Sequence, residues 1–465
     1  MPINFPTARL QGGLLFTITL CVIFEEWSGS TSLALIKQPC VVALIALFTP
    51  EVTRSRLAFV IFAASLTLLV PAFAVDWLKS IKDGLDTGAF IAAFFSALTI
   101  LKTVAERSPA VRRAGEYLAS QRPGRRYIAL TLGSQGFALL LNYAALQLLG
   151  ALSSASARRE SDPTIRRIRI RRMLLAIDRG LISTLPWSPT SFAIAITTTV
   201  IPSTSWSDVA GPSLVTAVIL AGTGWGLDTL FKPKVARPPG RIPEPVDGIG
   251  ALAPLWILLI ILIASVAVLY ASTSIKVSAL VMVIVPMIAV CWMAAQADRG
   301  GRIAGLGIQI REYLFSELPG FRSELVLLIL AGYIGTVGAE VLTPVFAARE
   351  FNLAAVPAGI ILVGFVLGIP LFGQLGMNPI MAVTLFAPLI PPAAELGVSP
   401  TSIVLAITAG WALSGATSPF TATTLLVSRF ASVSAWHVGL RWNGLYALAC
   451  AVLLSFWVLI YTYVL

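Results

Sequence analysis

The sequence predicts an all-α polytopic membrane protein, with about eleven transmembrane helices plus two re-entrant hairpins in two inverted repeats. Three observations lead there. Of the 465 residues, 57% are apolar and 12% charged, whereas a soluble globular chain carries about 25% charged residues. Long apolar runs recur from end to end, as at 251–269 and 446–465, and runs of that length read as membrane spans. A Ser-Pro motif occurs at matching places in the two halves, Trp187-Ser188-Pro189-Thr190-Ser191 and Thr417-Ser418-Pro419-Phe420-Thr421, and in each copy a Trp follows the Ser 18 residues later (Trp206, Trp436).

The first apolar run, Leu14 to Phe24, follows a short N-terminus with one Arg and has no small-residue cleavage signal. It is read as a retained helix in an extra N-terminal element over 1–30. Further spans are expected at 31–50, 56–75, 86–105, 173–202, 211–231, 249–270, 274–296, 323–343, 400–429 and 442–465. Segments 126–155 and 355–392 are too long for one span and carry polar or Pro/Gly punctuation near the middle, so each is expected to turn back on itself. The first repeat then covers 31–231 and the second 249–465, joined by a Pro-rich linker at 232–248. Thr103-Val104-Ala105-Glu106 and Thr336-Val337-Gly338-Ala339-Glu340 add a further match between the halves, each glutamate closing the span before a hairpin.

Charge bookkeeping orients this scheme. With the N-terminus in the cytoplasm, inner loops hold 27 of the 33 Lys and Arg and outer loops hold four, as the positive-inside rule requires. The expected setting is a cell inner membrane with the C-terminus external. The net charge of +11 thus reflects membrane topology and calls for no nucleic-acid partner. The most basic stretch, 158–172, interleaves Arg with Ile and reads as an amphipathic arm on the membrane surface, in contact with membrane lipid. The four cysteines, Cys21, Cys40, Cys291 and Cys450, lie in apolar spans without CxxC spacing and read as inert thiols.

The motifs that carry chemistry are breaks in helices. A continuous helix satisfies its own backbone, whereas a broken one exposes N–H groups at one end and carbonyls at the other. Transporters bind solutes at such breaks near the bilayer midplane, and irregular backbone survives in a membrane only when buried in protein or lining a cavity. Pro removes a donor and biases the preceding residue away from helix. Ser188, Pro189 and Thr190 form one expected half-site, and Thr417, Ser418, Pro419 and Thr421 the other. Asn142-Tyr143 and Asn378-Pro379 are the expected hairpin tips. An amide oxygen there suits a cation, so Asn142 and Asn378 are candidate ligands for a sodium ion, while the amide nitrogen suits a carboxylate. Gly133-Ser134-Gln135-Gly136 is an alternative first tip. Among acids, Asp178 sits beside Arg179, Asp228 lies near an inner boundary, and Glu106 and Glu340 lie near span ends. Proton coupling through Glu106 or Glu340 stays open. His437 is placed in a cytoplasmic loop without a role. HExxH, P-loop, GxSxG and clustered metal ligands are absent from the sequence, which gives no support to an enzyme or an ATP-driven pump.

With its Asn tips and Pro-broken helices, the chain resembles the ion transporter superfamily, and within it the divalent anion:sodium symporter type. Asn142 and Asn378 match the central Asn of that family's Ser-Asn-Thr tip signature, although Leu141, Tyr143, Met377 and Pro379 stand where Ser and Thr would flank it. The resemblance implies opposed hairpins, a small-molecule anion as substrate, no cofactor beyond a sodium ion, and a homodimer. The expected function is secondary active transport of a small anionic solute, organic acid or inorganic anion, coupled to sodium or protons. Alternating access would be of elevator type, with Asn142, Ser188, Asn378 and Ser418 moving together against spans at 31–75 and 249–296, and the 158–172 arm as the hinge link. Alternatives are a proton-coupled exporter of the same fold, a membrane-embedded enzyme acting on lipid-linked sugars, for which the outer loops are short, and a non-transporting subunit of a complex.

Overall fold

The structure, a computed structural model, describes residues 5–122, 124–233, 248–273, 275–296, 302–348 and 353–465. The described residues contain helices and no strand. In chain order these are α1 (Phe5–Ser28), α2 (Ala34–Phe48), α3 (Arg54–Leu69), α4 (Trp77–Glu106), α5 (Pro109–Ser120), α6 (Arg126–Leu141), α7 (Ala144–Arg158), α8 (Pro163–Ile182), α9 (Phe192–Val200) and α10 (Trp206–Leu230). After 234–247, which fall outside the described residues together with most of the expected linker, come α11 (Ala253–Thr273), α12 (Val277–Gln296), α13 (Arg302–Glu312), the single turn α14 (Leu318–Gly320) and α15 (Arg322–Ala348). The chain closes with α16 (Ala358–Gln374), α17 (Pro379–Phe386), α18 (Pro400–Thr417), α19 (Ala422–Ala431) and α20 (Gly444–Tyr463).

Nine segments among the described residues are long and apolar enough to cross a membrane. The shorter apolar helix at 56–72 and the interrupted α8–α9 segment stand at the other two expected spans. The segments expected as hairpins hold consecutive helices joined by short turns, α6 and α7 in the first and α16 and α17 in the second. Each is followed by a broken helix and then an unbroken one: α8–α9 then α10, and α18–α19 then α20.

The structure corrects several local expectations. The basic arm is no separate element, since α8 runs unbroken from Pro163 through the arginines to Ile182. Its start is fixed by Asp162, whose carboxylate accepts from the N–H groups of Thr164 (2.7 Å) and Ile165 (3.1 Å), with Pro163 at the first helical position. Gly133 to Gly136 lie inside α6 and make no tip. Gly133 is small because Leu118 of α5 packs where its Cβ would be. The amphipathic helices α5 and α13 stand where the sequence reading placed loops. Glu340 lies inside α15, eight residues short of its end.

By contacts the chain forms two compact units. One comprises 1–104, 264–355 and 380–391. Within it Lys37 on α2 is buried and pairs with Glu25 of α1 and with Asp86 of α4 at 3.2 Å. Thr67 and Tyr333 share a 2.6 Å hydrogen bond between α3 and α15. The other unit comprises 105–263, 356–379 and 392–465 and holds every candidate site residue. The 158–172 stretch lies wholly in this unit, so it does not link the two. Residues 249–263, expected with the scaffold, also belong to it.

Candidate functional site at the paired helix breaks

Both breaks use one device. In an α-helix the N–H of residue i bonds the carbonyl of residue i−4. Pro189 has no N–H, so the Leu185 carbonyl loses its donor, and Ser191 Oγ supplies one at 2.8 Å. Pro419 likewise strips the Gly415 carbonyl, which accepts from the hydroxyls of Thr421 (3.2 Å) and Thr423. The Ser before each Pro does the same work twice. Ser188 Oγ accepts from Thr190 N–H at 3.2 Å, and Ser418 Oγ from Phe420 N–H at 3.3 Å. Leu185 and Gly415, Ser188 and Ser418, Pro189 and Pro419, and Ser191 and Thr421 are each 230 residues apart. Backbone groups freed by the prolines thus find hydroxyls in place of water, as burial in a membrane protein demands.

Each break is also pinned to its hairpin. In the first half the turn is Asn142-Tyr143. Asn142 has φ +50°, a sign of φ that Asn adopts more readily than most residues, and Tyr143 leads into α7. Asn142 Nδ2 donates to the Thr190 carbonyl at 3.3 Å, and Thr190 Oγ1 donates to the Leu139 carbonyl at 3.0 Å. Thr190 Oγ1 also lies 2.8 Å from Ser188 Oγ. No donor among the described residues meets Asn142 Oδ1. In the second half Ser418 Oγ donates to the Gly373 carbonyl at 2.6 Å. The chain then turns through Gly376, at φ +91°, to Asn378 and to Pro379, which opens α17. Thr417 turns its hydroxyl back onto the Leu413 carbonyl at 2.8 Å, inside its own helix.

The two breaks cross at equivalent residues. A Cβ on Gly415 would lie 3.2 Å from Ile182 and 3.6 Å from Leu185. Leu185 and Gly415 are the two residues whose carbonyls the prolines strip. Ser188, Thr190, Ser191, Thr417, Ser418, Thr423 and Thr424 are all buried. Around them several buried polar atoms have no partner among the described residues, including Trp187 Nε1, Gln374 Oε1 and Ser414 Oγ.

A network that the sequence reading missed fastens this crossing. Arg179 donates to Asn443 Oδ1 (3.1 Å), Tyr127 Oη (3.1 Å) and the Trp442 carbonyl (3.3 Å), and its guanidinium lies 4.4 Å from the Tyr446 ring centroid. Asn443 Nδ2 donates to Asp178 Oδ2 at 3.2 Å and to the Ala416 carbonyl at 3.0 Å, whose usual donor, Phe420 N–H, has turned to Ser418. Asp178 Oδ1 has no partner among the described residues, and Asp178 and Asn443 are fully buried. The only sequence signal was an Asp-Arg pair inside an apolar run, and nothing pointed to Asn443. Because Asn443→Ala leaves a buried carboxylate, guanidinium and carbonyl each short of a partner, it is expected to cost about 3 kcal/mol or more. Thermal unfolding of the purified variant reads this directly, and an unchanged midpoint would show the network to be dispensable. Of the other acids singled out earlier, Glu106 and Glu340 are exposed. His437 rests its ring against Trp442, 5.6 Å between centroids.

The sequence matches no protein-family model and no curated protein. By structure the chain is similar to the YdaH transporter of Alcanivorax borkumensis, whose topology is described as unusual, with 17% identity, a TM-score of 0.58, and coverage of 87% of this chain and 98% of that one. It is also similar to MtrF of Neisseria gonorrhoeae, described as illuminating a class of antimetabolite efflux pumps, with 11% identity, a TM-score of 0.50, and coverage of 90% and 97%. These likenesses establish the fold.

Proposed function

We propose that the protein is a secondary active transporter of a small anionic solute, with Asn142, Tyr143, Ser188, Pro189 and Thr190 forming one half of the site and Asn378, Pro379, Thr417, Ser418, Pro419 and Thr421 the other. The observation that carries this reading is the crossing of two matched helix breaks, each pinned to the helix that precedes an expected hairpin tip. A proline kink alone would not need such duplication. An anion is favoured at the second break, where Thr421 spends its hydroxyl on carbonyls and leaves the α19 N-terminus without a side-chain cap, so its N–H groups and positive dipole end remain for a ligand. Ser191, by contrast, caps α9. A cation is favoured at the first break, where Asn142 Oδ1 is unmet; sodium held there and at Asn378 is the coupling ion on this reading. The resemblance to divalent anion:sodium symporters rests on the same two asparagines.

A proton is the alternative coupling ion, with Asp178 as its carrier, because Asp178 is fully buried among the break residues and has an unmet oxygen. Export is the second reading of direction, favoured by the likeness to MtrF, itself described as an efflux pump. All the site residues share one compact unit, which suits elevator-type movement of that unit as a body. Inner-membrane placement with a cytoplasmic N-terminus and external C-terminus follows from the charge distribution, and a homodimer from the family resemblance.

The test is a thermal-shift screen of small anions, with and without sodium, followed by flux of each hit in proteoliposomes. At least one anion is expected to raise the unfolding midpoint, and more so with sodium. Asp178→Asn is then expected to keep flux if sodium is the coupling ion and to abolish pH-driven flux if the proton is. No stabilising anion and no flux under either gradient would overturn the proposal.

A further inference from the structure

A second, independent feature lies at the other end of α8. There a cavity of about 210 Å³ opens between the start of α6, the first turns of α8 and the residues just after α10. Arg126, Arg169, Arg172 and Lys232 line it, and among the described residues no carboxylate does. Arg172 is fixed by a two-point pair with Asp228, at 2.8 and 2.6 Å. Arg126 Nε is held by the Gln121 carbonyl at 2.7 Å, and Arg169 Nη2 by Ser156 Oγ at 2.9 Å. These guanidinium groups are therefore positioned by the fold. The remaining wall is apolar, from Leu130, Ile165, Ile168 and Met173. On the stretches of chain that supply the lining, large apolar side chains are exposed: Ile128 and Leu132 on α6, and Leu230 and Phe231 just before Lys232.

We infer that this cavity binds the headgroup phosphate of an anionic phospholipid. A soluble anion would need only the cations. The apolar wall and the exposed apolar side chains on the same stretches of chain suit acyl chains. Guanidinium groups suit phosphate oxygens through paired N–H donors, and basic cavities on the positively charged side of membrane proteins take lipid headgroups by this chemistry. The cavity holds none of the break residues, so the inference stands whether or not the transport reading does.

The test uses the full chain in nanodiscs of phosphatidylcholine doped with phosphatidylglycerol, with bound lipid counted by native mass spectrometry after release. Phosphatidylglycerol is expected to be retained over phosphatidylcholine, and Arg126→Gln with Arg169→Gln to lower that retention at least about tenfold, as the loss of charge-assisted hydrogen bonds predicts. Arg158→Gln with Arg167→Gln, on the same basic stretch but outside the cavity lining, is expected to change retention less than twofold. Equal loss in both double variants would mean a diffuse charge effect and overturn the site. Inorganic phosphate at millimolar concentration is expected to raise the unfolding midpoint less than phosphatidylglycerol does. The reverse order would make this a soluble-anion site and overturn the lipid assignment. Should the cavity variant fail to fold, the wild-type chain decides: a photoactivatable phosphatidylglycerol is expected to label peptides carrying Leu130, Ile165 or Ile168, and labelling confined to other helices would overturn the proposal.

Discussion

Pro189→Ala and Pro419→Ala are expected to abolish solute flux while leaving the protein at least as stable as the parent. Each substitution restores an N–H opposite a carbonyl that now depends on a hydroxyl, Leu185 in one break and Gly415 in the other. With that donor present, α8 can continue toward α9 and α18 toward α19 as regular helix. Proline inside a helix costs about 3 kcal/mol, so relieving it favours the closed-up form. What is lost is the non-helical backbone at the break, on which the proposed site depends. Thermal unfolding in detergent and flux in proteoliposomes separate the two effects. Parent-like flux in both variants would reduce the breaks to tolerated kinks. Ser418→Ala serves as the contrast, since it leaves the Gly373 carbonyl and the Phe420 N–H without a partner. It is expected to lower stability by about 1–3 kcal/mol for each group left unmet and flux as well.

A loss of stability from the addition of one carbon is expected at Gly439. A Cβ there would sit 2.0 Å from the Thr417 carbonyl oxygen and 2.9 Å from its carbon. Those are backbone atoms of the last residue of α18 and have no rotamer to escape into. Gly439→Ala must therefore push the turn at 437–442 away from the second break. Overpacking of this kind costs about 1–3 kcal/mol and sometimes more. The turn also carries Trp442, whose carbonyl accepts from Arg179, and leads into Asn443, so the shift is expected to loosen the network under the crossing too. A lowered unfolding midpoint with Gly439→Ala, and little change with Gly444→Ala, where a Cβ meets nothing within 4 Å, is the expected pair of results. Equal midpoints would show that the turn yields freely.

The parts of this architecture that were legible in the sequence are those set by local chemistry. Apolar run length marked the helices, and the prolines marked the segments in which α8–α9 and α18–α19 are interrupted, because a missing donor acts where it stands. The Asn142 tip was legible because a polar amide inside an apolar hairpin has few other uses. Other features depend on residues far apart in the chain. Asn443 lies more than 260 residues from Asp178 and Arg179, and no periodicity links them. The refilling of Leu185 and Gly415 carbonyls by Ser191 and Thr421 was invisible for a different reason. Hydroxyls near proline are common, and only the geometry shows which carbonyl each one faces. The continuity of α8 was missed because its arginines suggested a surface arm, whereas long basic side chains let a helix leave the membrane without ending.

That continuity makes α8 a lever. Its 20 residues form a rod of about 30 Å, with the arginine-lined cavity at one end and the first break at the other. A rigid rod converts a small tilt at the membrane surface into a sideways displacement of its far tip, and the far tip carries Ile182 against Gly415. A displacement of the end that carries Arg169 and Arg172 is thus passed along the helix to the crossing of the two breaks.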